Sequence, residues 1–179
     1  MRVSLISLLI SLLFSLFFTT FVAAQTLDSY TLGTDDVISV TVFDEPDLSS
    51  QESRISSAGT ISMPLIGQVS VSGLTIAEVE EKIRLGYLGD YLKKPDINVA
   101  IVEYRHFYVN GEVEDPGSFS FREGMTVQRA ISLSGGFSER AARGKIRIVR
   151  ENNNGVEIKA DLNTLVRPGD VITVDESFF

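Results

Sequence analysis

The sequence predicts an α+β protein of two small units, each mostly β-strand with a single helix. Three observations carry this. Short runs of β-branched residues alternate with polar ones along most of the chain, the period of a half-buried strand. Only two stretches place apolar residues at helical spacing, and a threonine precedes each, Thr75 and Thr126. The third is an internal echo. Leu32-Gly33-Thr34-Asp35-Asp36-Val37-Ile38-Ser39-Val40 resembles Val166-Arg167-Pro168-Gly169-Asp170-Val171-Ile172-Thr173-Val174, each a turn and an aspartate directly before a Val-Ile strand. Two units that bury their sheets together are expected, not one large enzyme core.

The first segment is distinct from the rest. Met1-Arg2 leads into an uncharged apolar run from Val3 to Val22, closed by Ala23-Ala24 before Gln25. A basic start, an apolar middle and a small-residue cut site read as a secretory signal peptide over residues 1–24. At about 20 residues the run could also span a bilayer, so an uncleaved anchor is the alternative. No cysteine stands at the cut site, which excludes a lipoprotein leader.

In the body, Ile38, Val40 and Val42 share one strand face opposite Ser39 and Thr41, and Asp44-Glu45-Pro46-Asp47 ends that strand. Residues 60–63 and 68–71 read as a further pair of strands, bent at Pro64 and Gly67. Thr75 with Glu78 three residues on is a capping box. Ile76, Val79, Ile83 and Tyr87 follow as the buried stripe of a helix. Pro95 leads into a strand over residues 97–101. The second unit begins at His106, with strands over 107–113 and 118–121 joined by Asp115-Pro116-Gly117. Thr126 caps a short helix carrying Val127, Ala130 and Ile131, stopped by Gly135-Gly136. Lys145 to Arg150 alternates cations with Ile146 and Ile148, Asn152-Asn153-Asn154-Gly155 turns it back into residues 156–158, and residues 171–174 form the last strand. The expected units are 25–105 and 106–179.

Past the leader the chain holds 15 Lys and Arg against 24 Asp and Glu, net −9. So acidic a body argues against nucleic acid, whose binders gather cations against phosphates. Cysteine is absent and His106 is the single histidine, which excludes disulfides, thiolate metal sites, cysteine nucleophiles and any site needing two imidazoles. No metal-ligand spacing, cofactor motif or catalytic residue is identified. Asp35/Asp36 and Asp44/Glu45 are adjacent pairs, which point to opposite faces of an extended chain. They read as turn and solvation residues, not as an acid and a base. His106, between Arg105 and Phe107, reads as a surface or edge histidine. Residues 25–105 are net −7 and residues 106–179 net −2. Positive charge gathers in one place: Arg140, Arg143, Lys145, Arg147 and Arg150. These five form the candidate interaction surface, for a partner's carboxylates or an acidic polymer; a solvated strand face is the plainer reading.

Several segments coincide with one family. These are Tyr30-Thr31-Leu32-Gly33-Thr34-Asp35-Asp36-Val37-Ile38-Ser39-Val40, then Gly59-Thr60-Ile61-Ser62-Met63-Pro64-Leu65-Ile66-Gly67-Gln68-Val69, then Gly73-Leu74-Thr75 and Lys94-Pro95-Asp96-Ile97-Asn98-Val99. They resemble the polysaccharide export domain of the outer-membrane polysaccharide export (Wza-like) family. Val109-Asn110-Gly111-Glu112-Val113, Pro116-Gly117 and Ala130-Ile131-Ser132-Leu133-Ser134-Gly135-Gly136 resemble its soluble-ligand-binding β-grasp (SLBB) unit. Arg167 to Val174 is similar to the family's closing strand.

The resemblance implies a non-enzymatic component of exopolysaccharide or capsule export, located in the periplasm and associated with the outer membrane. Family members form homo-oligomeric rings around a polysaccharide conduit and work with an inner-membrane polysaccharide co-polymerase, often of the tyrosine-kinase type. This chain departs from the best-known members in three ways: it lacks a lipid-modified cysteine, it shows one SLBB unit, and it stops at Asp175-Glu176-Ser177-Phe178-Phe179 without an amphipathic pore helix. A pore-less periplasmic part beside a separate outer-membrane barrel is therefore expected. The alternative is a periplasmic polysaccharide-binding or regulatory module that conducts no polymer; a glycan hydrolase using two carboxylates ranks third. N-terminal sequencing of the exported protein should begin at Gln25, and an intact Met1 in a membrane fraction would favour the anchor.

Overall fold

The computed structural model describes residues 30–151 and 155–177; the expected signal peptide over residues 1–24 and the turn expected at Asn152-Asn153-Asn154 lie outside them. Strands are β1 (Val37–Val42), β2 (Ser50–Arg54), β3 (Thr60–Met63), β4 (Gly67–Ser70), β5 (Ile97–Glu103), β6 (Phe107–Gly111), β7 (Gly117–Phe119), β8 (Ala141–Val149), β9 (Glu157–Ala160) and β10 (Val171–Glu176). Helices are α1 (Ile76–Tyr87) and α2 (Val127–Leu133). Mixed α+β is the observed class, with two α-helices and three small sheets among the described residues.

β1 is central in an antiparallel sheet ordered β2-β1-β5. Its inward residues meet inward residues of β5: Ile38 faces Ile101, Val40 faces Val99, and Val42 faces Ile97. Such apolar cross-strand pairs fix register, because a slip of one residue would turn the whole set to solvent. The β3-β4 hairpin adds Ile61, Met63 and Val69 to the same core. α1 closes it. Both halves of the expected capping box form: the Glu78 amide donates to Thr75 Oγ1 (3.4 Å), and the Thr75 amide donates to Glu78 Oε2 (2.8 Å). Val79, Ile83 and Tyr87 are buried, and Ile76 packs at the margin. The helix runs through Gly86, where a Cβ would press on Ile66 Cδ1 at 3.1 Å.

The second sheet is ordered β7-β6-β10-β8-β9, antiparallel except for the parallel pair β6 and β10. β10 is thus the central strand, with Ile172 between Val109 and Ile148 on the inward face. α2 covers that face through Val127, Ala130 and Ile131. Its first amides do not go unpaired: Val127 and Gln128 donate to the carbonyls of Thr164 and Leu162 at 2.9 and 3.0 Å.

Two outcomes differ from the sequence expectation. The sheets do not share a core. One hydrophobic cluster is built from residues 32–99 and a second from residues 107–174. Each cluster includes its own helix, which leaves the contact between the two units to polar and aromatic groups. In addition, Ser50–Arg54 forms a strand that no apolar alternation announces, because an edge strand with both faces half-open needs none.

Ile83 has no exposure. Ile83→Asp should cost several kcal/mol of a total of about 5–15, since an unpaired charge replaces a buried apolar side chain. A denaturation midpoint unchanged from wild type would contradict this packing.

Candidate functional site

The echoed aspartates lie where the two clusters meet. Asp36 and Asp170 each precede a central strand, β1 and β10, and both are buried, at 0% and 1% exposure. Each carboxylate closes its own turn in the same way. Asp36 Oδ2 accepts the Gly33 amide, and Asp170 Oδ2 accepts the Arg167 amide, both at 2.8 Å. The reading of Asp35/Asp36 as turn and solvation residues holds for the turn and fails for solvation at Asp36. The left-handed Asp35 (φ 70°) stays exposed and turns its neighbour inward.

A buried carboxylate must be fully hydrogen-bonded to remain ionised. Asp36 is. Beyond Gly33, it accepts from the Tyr30 hydroxyl (2.7 Å), the Arg105 amide (2.7 Å) and Arg105 Nη1 (2.9 Å). Arg105 Nη1 also donates to the Tyr30 oxygen at 2.7 Å, so the three side chains form a closed ring. Burial and the bond to Asp36 push the Tyr30 phenol well above its ordinary range. The guanidinium reaches the other unit through Nε, 2.8 Å from Glu151 Oε2; the pair is close in distance but out of line for a hydrogen bond.

Two glycines make room for this group. A Cβ on Gly33 would overlap the Arg105 guanidinium, and one on Gly169, itself left-handed (φ 81°), would lie 2.6 Å from Glu151 Oε2. Around the ion pair runs an aromatic ladder. Tyr30 and Tyr104 meet edge to face at 5.2 Å between ring centroids, and Tyr104 and Phe121 do so at 5.3 Å. Each such contact contributes about 0.5–1.5 kcal/mol beyond area burial.

Beside the junction lies a cleft of about 610 Å³. Tyr108, Val171 and Val149 stand abreast on the outer face of β6, β10 and β8 and form its floor. Arg54, Glu103 and Asp35 form the wall contributed by the first unit, and Arg105, His106 and Glu151 the back. His106 is exposed, as expected of an edge histidine, and its Nε2 is 3.3 Å from Ser120 Oγ. Among the described residues no group of His, Asp and Glu is placed to hold a metal ion.

The five cations singled out from the sequence are dispersed. Arg147 is committed within the fold, to Asp175 at 2.6 Å and Glu157 at 2.5 Å. Arg140 pairs with Glu176, and Arg143 lies over the Phe137 ring, 5.6 Å from its centroid. Arg150 Nη2 donates to the Leu165 carbonyl at 3.4 Å, while its Nε is buried without a partner. Lys145 is exposed and has no partner among the described residues. Ile146 and Ile148 are buried, so Lys145 and Arg147 do point outward, on the same sheet face as Val149. Sequence reading missed Arg105 altogether: a lone arginine between strands carries no periodic signal.

Two small modules, each with a buried aspartate before its central strand, thus meet at Arg105, which pairs with Asp36 and approaches Glu151. Residues 24–102 match the family model for polysaccharide biosynthesis/export proteins, and residues 106–160 match the SLBB domain. The chain belongs to the polysaccharide export proteins, with an export domain followed by an SLBB domain. It is 28% identical to the EPS I polysaccharide export outer membrane protein EpsA of Ralstonia nicotianae over 82% of this chain and 47% of that protein. It is 36% identical to the exopolysaccharide production protein ExoF of Rhizobium meliloti over 49% of this chain and 21% of the relative. The polysialic acid transport protein KpsD of Escherichia coli is 33% identical over 37% of this chain and 12% of its own length. The chain spans less than half the length of these relatives. No helix among the described residues is long and apolar enough to cross a membrane.

Removing one partner of a buried ion pair costs about 3–5 kcal/mol, so Asp36→Ala should be among the most destabilising substitutions, read as a lowered denaturation midpoint. Asp170 should behave differently. Burial raises its carboxyl, with the Arg167 amide and the charges of Arg150, Arg167 and Arg105 pulling it back. The folded state therefore holds the proton more tightly than the unfolded chain, and the cost of the ionised form is full above the folded value and vanishes below the ordinary aspartate range. Asp170→Asn, which still accepts from Arg167, should match or exceed wild-type melting temperature at neutral pH. That margin should close as pH falls toward the aspartate range.

Proposed function

We propose that this chain is a periplasmic component of an exopolysaccharide or capsule export system and forms part of an oligomeric conduit for polymer across the envelope. The observation that supports this most is the paired match, export domain then SLBB domain, together with similarity over 82% of the chain to a polysaccharide export outer membrane protein. The junction supports it physically. Asp36 holds Arg105 in place within the first unit, and from there Arg105 approaches Glu151 and Tyr104 meets Phe121 of the second, contacts that orient the two units as a wall element requires. We divide the mature chain at Arg105 and His106, into units 25–105 and 106–179. The reading is non-enzymatic, with a homo-oligomeric ring, an inner-membrane co-polymerase, possibly of the tyrosine-kinase type, and a separate outer-membrane barrel as partners. A polysaccharide-binding or regulatory role is the second reading, favoured by the open cleft beside the junction.

Deleting the coding sequence should abolish secreted polymer while polymer synthesis continues inside the cell; unchanged secretion would overturn the conduit reading. The five-cation surface takes its place here as a ring contact, with the outward cations of β8 facing the acidic first unit of the next subunit, a heterologous contact that closes by rotation. Arg147 is already paired, so Arg143→Glu with Lys145→Glu is the cleaner test. The double variant should lose little melting temperature, because Lys145 is an exposed charge and the exposed Arg143 contact with the Phe137 ring is worth only about 0.5–1 kcal/mol. Its oligomer mass in light scattering should fall, and raised salt should mimic the effect.

A further inference from the structure

We propose that the junction cleft is a saccharide subsite for a short, uncharged stretch of polymer, with Tyr108 as its stacking platform and the Arg54–Glu103 pair as its hydroxyl-binding wall. The identity of the polymer rests on the export reading above; the subsite itself rests on the geometry.

The floor comes first. Tyr108 lies mid-sheet, between β7 and β10, and remains 45% exposed. Val171 and Val149 continue its row, so a flat apolar strip faces the cleft instead of the core. The C–H face of a sugar ring is apolar and flat, and an aromatic ring on such a strip is its natural counterpart. The wall supplies the polar half. Arg54 Nη2 and Glu103 Oε2 are 3.6 Å apart, with side chains 59% and 47% exposed, so neither group is used up by the other. A sugar hydroxyl both donates and accepts. An arginine beside a carboxylate offers the matching donor and acceptor at one edge.

Charge selects among ligands. Asp35, Glu103 and Glu151 stand against Arg54 and Arg105, and Arg105 is already neutralised by Asp36. No positive excess remains to hold a phosphate or a uronate. The volume, about 610 Å³, falls in the range of ligand clefts, roughly 300–1,000 Å³, and its place between two units is where such clefts occur. The cleft is open on one side, so binding should be weak. That suits a polymer in transit, which must leave each subsite as readily as it enters.

The test is a titration of isotope-labelled mature protein, followed by NMR, with cellotetraose and N-acetylglucosamine tetramer as uncharged probes and tetragalacturonate as the charged one. Uncharged probes should shift the amides of Tyr108, Val171, Val149 and Glu103, with affinity in the millimolar range. Tyr108→Ala and Glu103→Gln should each weaken binding by about fivefold or more. Glu103→Gln lies at the surface and tests the wall even where Tyr108→Ala perturbs folding. Shifts confined to other regions, or none at all, would overturn the subsite. Tighter, salt-sensitive binding of tetragalacturonate would overturn the preference for uncharged sugar. Failure here is separable from failure of the export reading. A silent cleft with export still lost on deletion refutes the subsite alone, whereas unchanged secretion on deletion refutes the export reading and leaves the titration standing.

Discussion

Placing the Asp36 carboxylate out of water constrains much of the molecule. An ionised carboxylate with no exposure is tolerable only when its lone pairs are filled, and four donors from Tyr30, Gly33 and Arg105 fill them. Each donor then fixes something else. The Arg105 backbone and side chain both bind Asp36, so the end of β5 is tied to the start of β1 and the linker has no freedom to swing. The guanidinium needs space, which Gly33 and Gly169 provide by lacking a Cβ. Its remaining edge meets Glu151 and so reaches the second sheet.

The elements were far more legible in the sequence than the joint between them. Ile38, Val40 and Val42 alternate, and Thr75 with Glu78 caps a helix whose stripe is Val79, Ile83 and Tyr87; both signals are local, and the structure reproduces both. The internal echo also has a structural basis, since Asp36 and Asp170 make the same turn-closing bond. What periodicity cannot express is pairing across 69 residues, the separation of Asp36 and Arg105. For the same reason the local sequence points to a solvated Asp36, whereas the fold buries it. Composition alone gathered the five cations into a patch, and only the fold reveals that Asp175, Glu157 and Glu176 answer two of them.

Separate cores linked by a polar joint give a particular mechanical character. Each unit is stabilised by its own apolar cluster, and the joint adds orientation more than stability, because buried ion pairs return little net energy beyond their desolvation cost. The open groove beside the joint is lined by residues of both units.

The position of β10 has a consequence for how the chain acquires its structure. Its partners β6 and β8 lie on either side of it, so neither can complete its ladder until residues 171–176 are available. The first unit waits for β5, about sixty residues downstream of β1, and the second for β10, about sixty residues downstream of β6, so the first is complete well before the second. Parallel, long-range pairing of this kind is slow and leaves sheet edges open in the interim. A chain threaded N-terminus first through a translocation channel would thus emerge with its first half folded and its second half unsealed. The finished joint, with Glu151 and Gly169 in place around Arg105, marks a molecule that has been delivered whole.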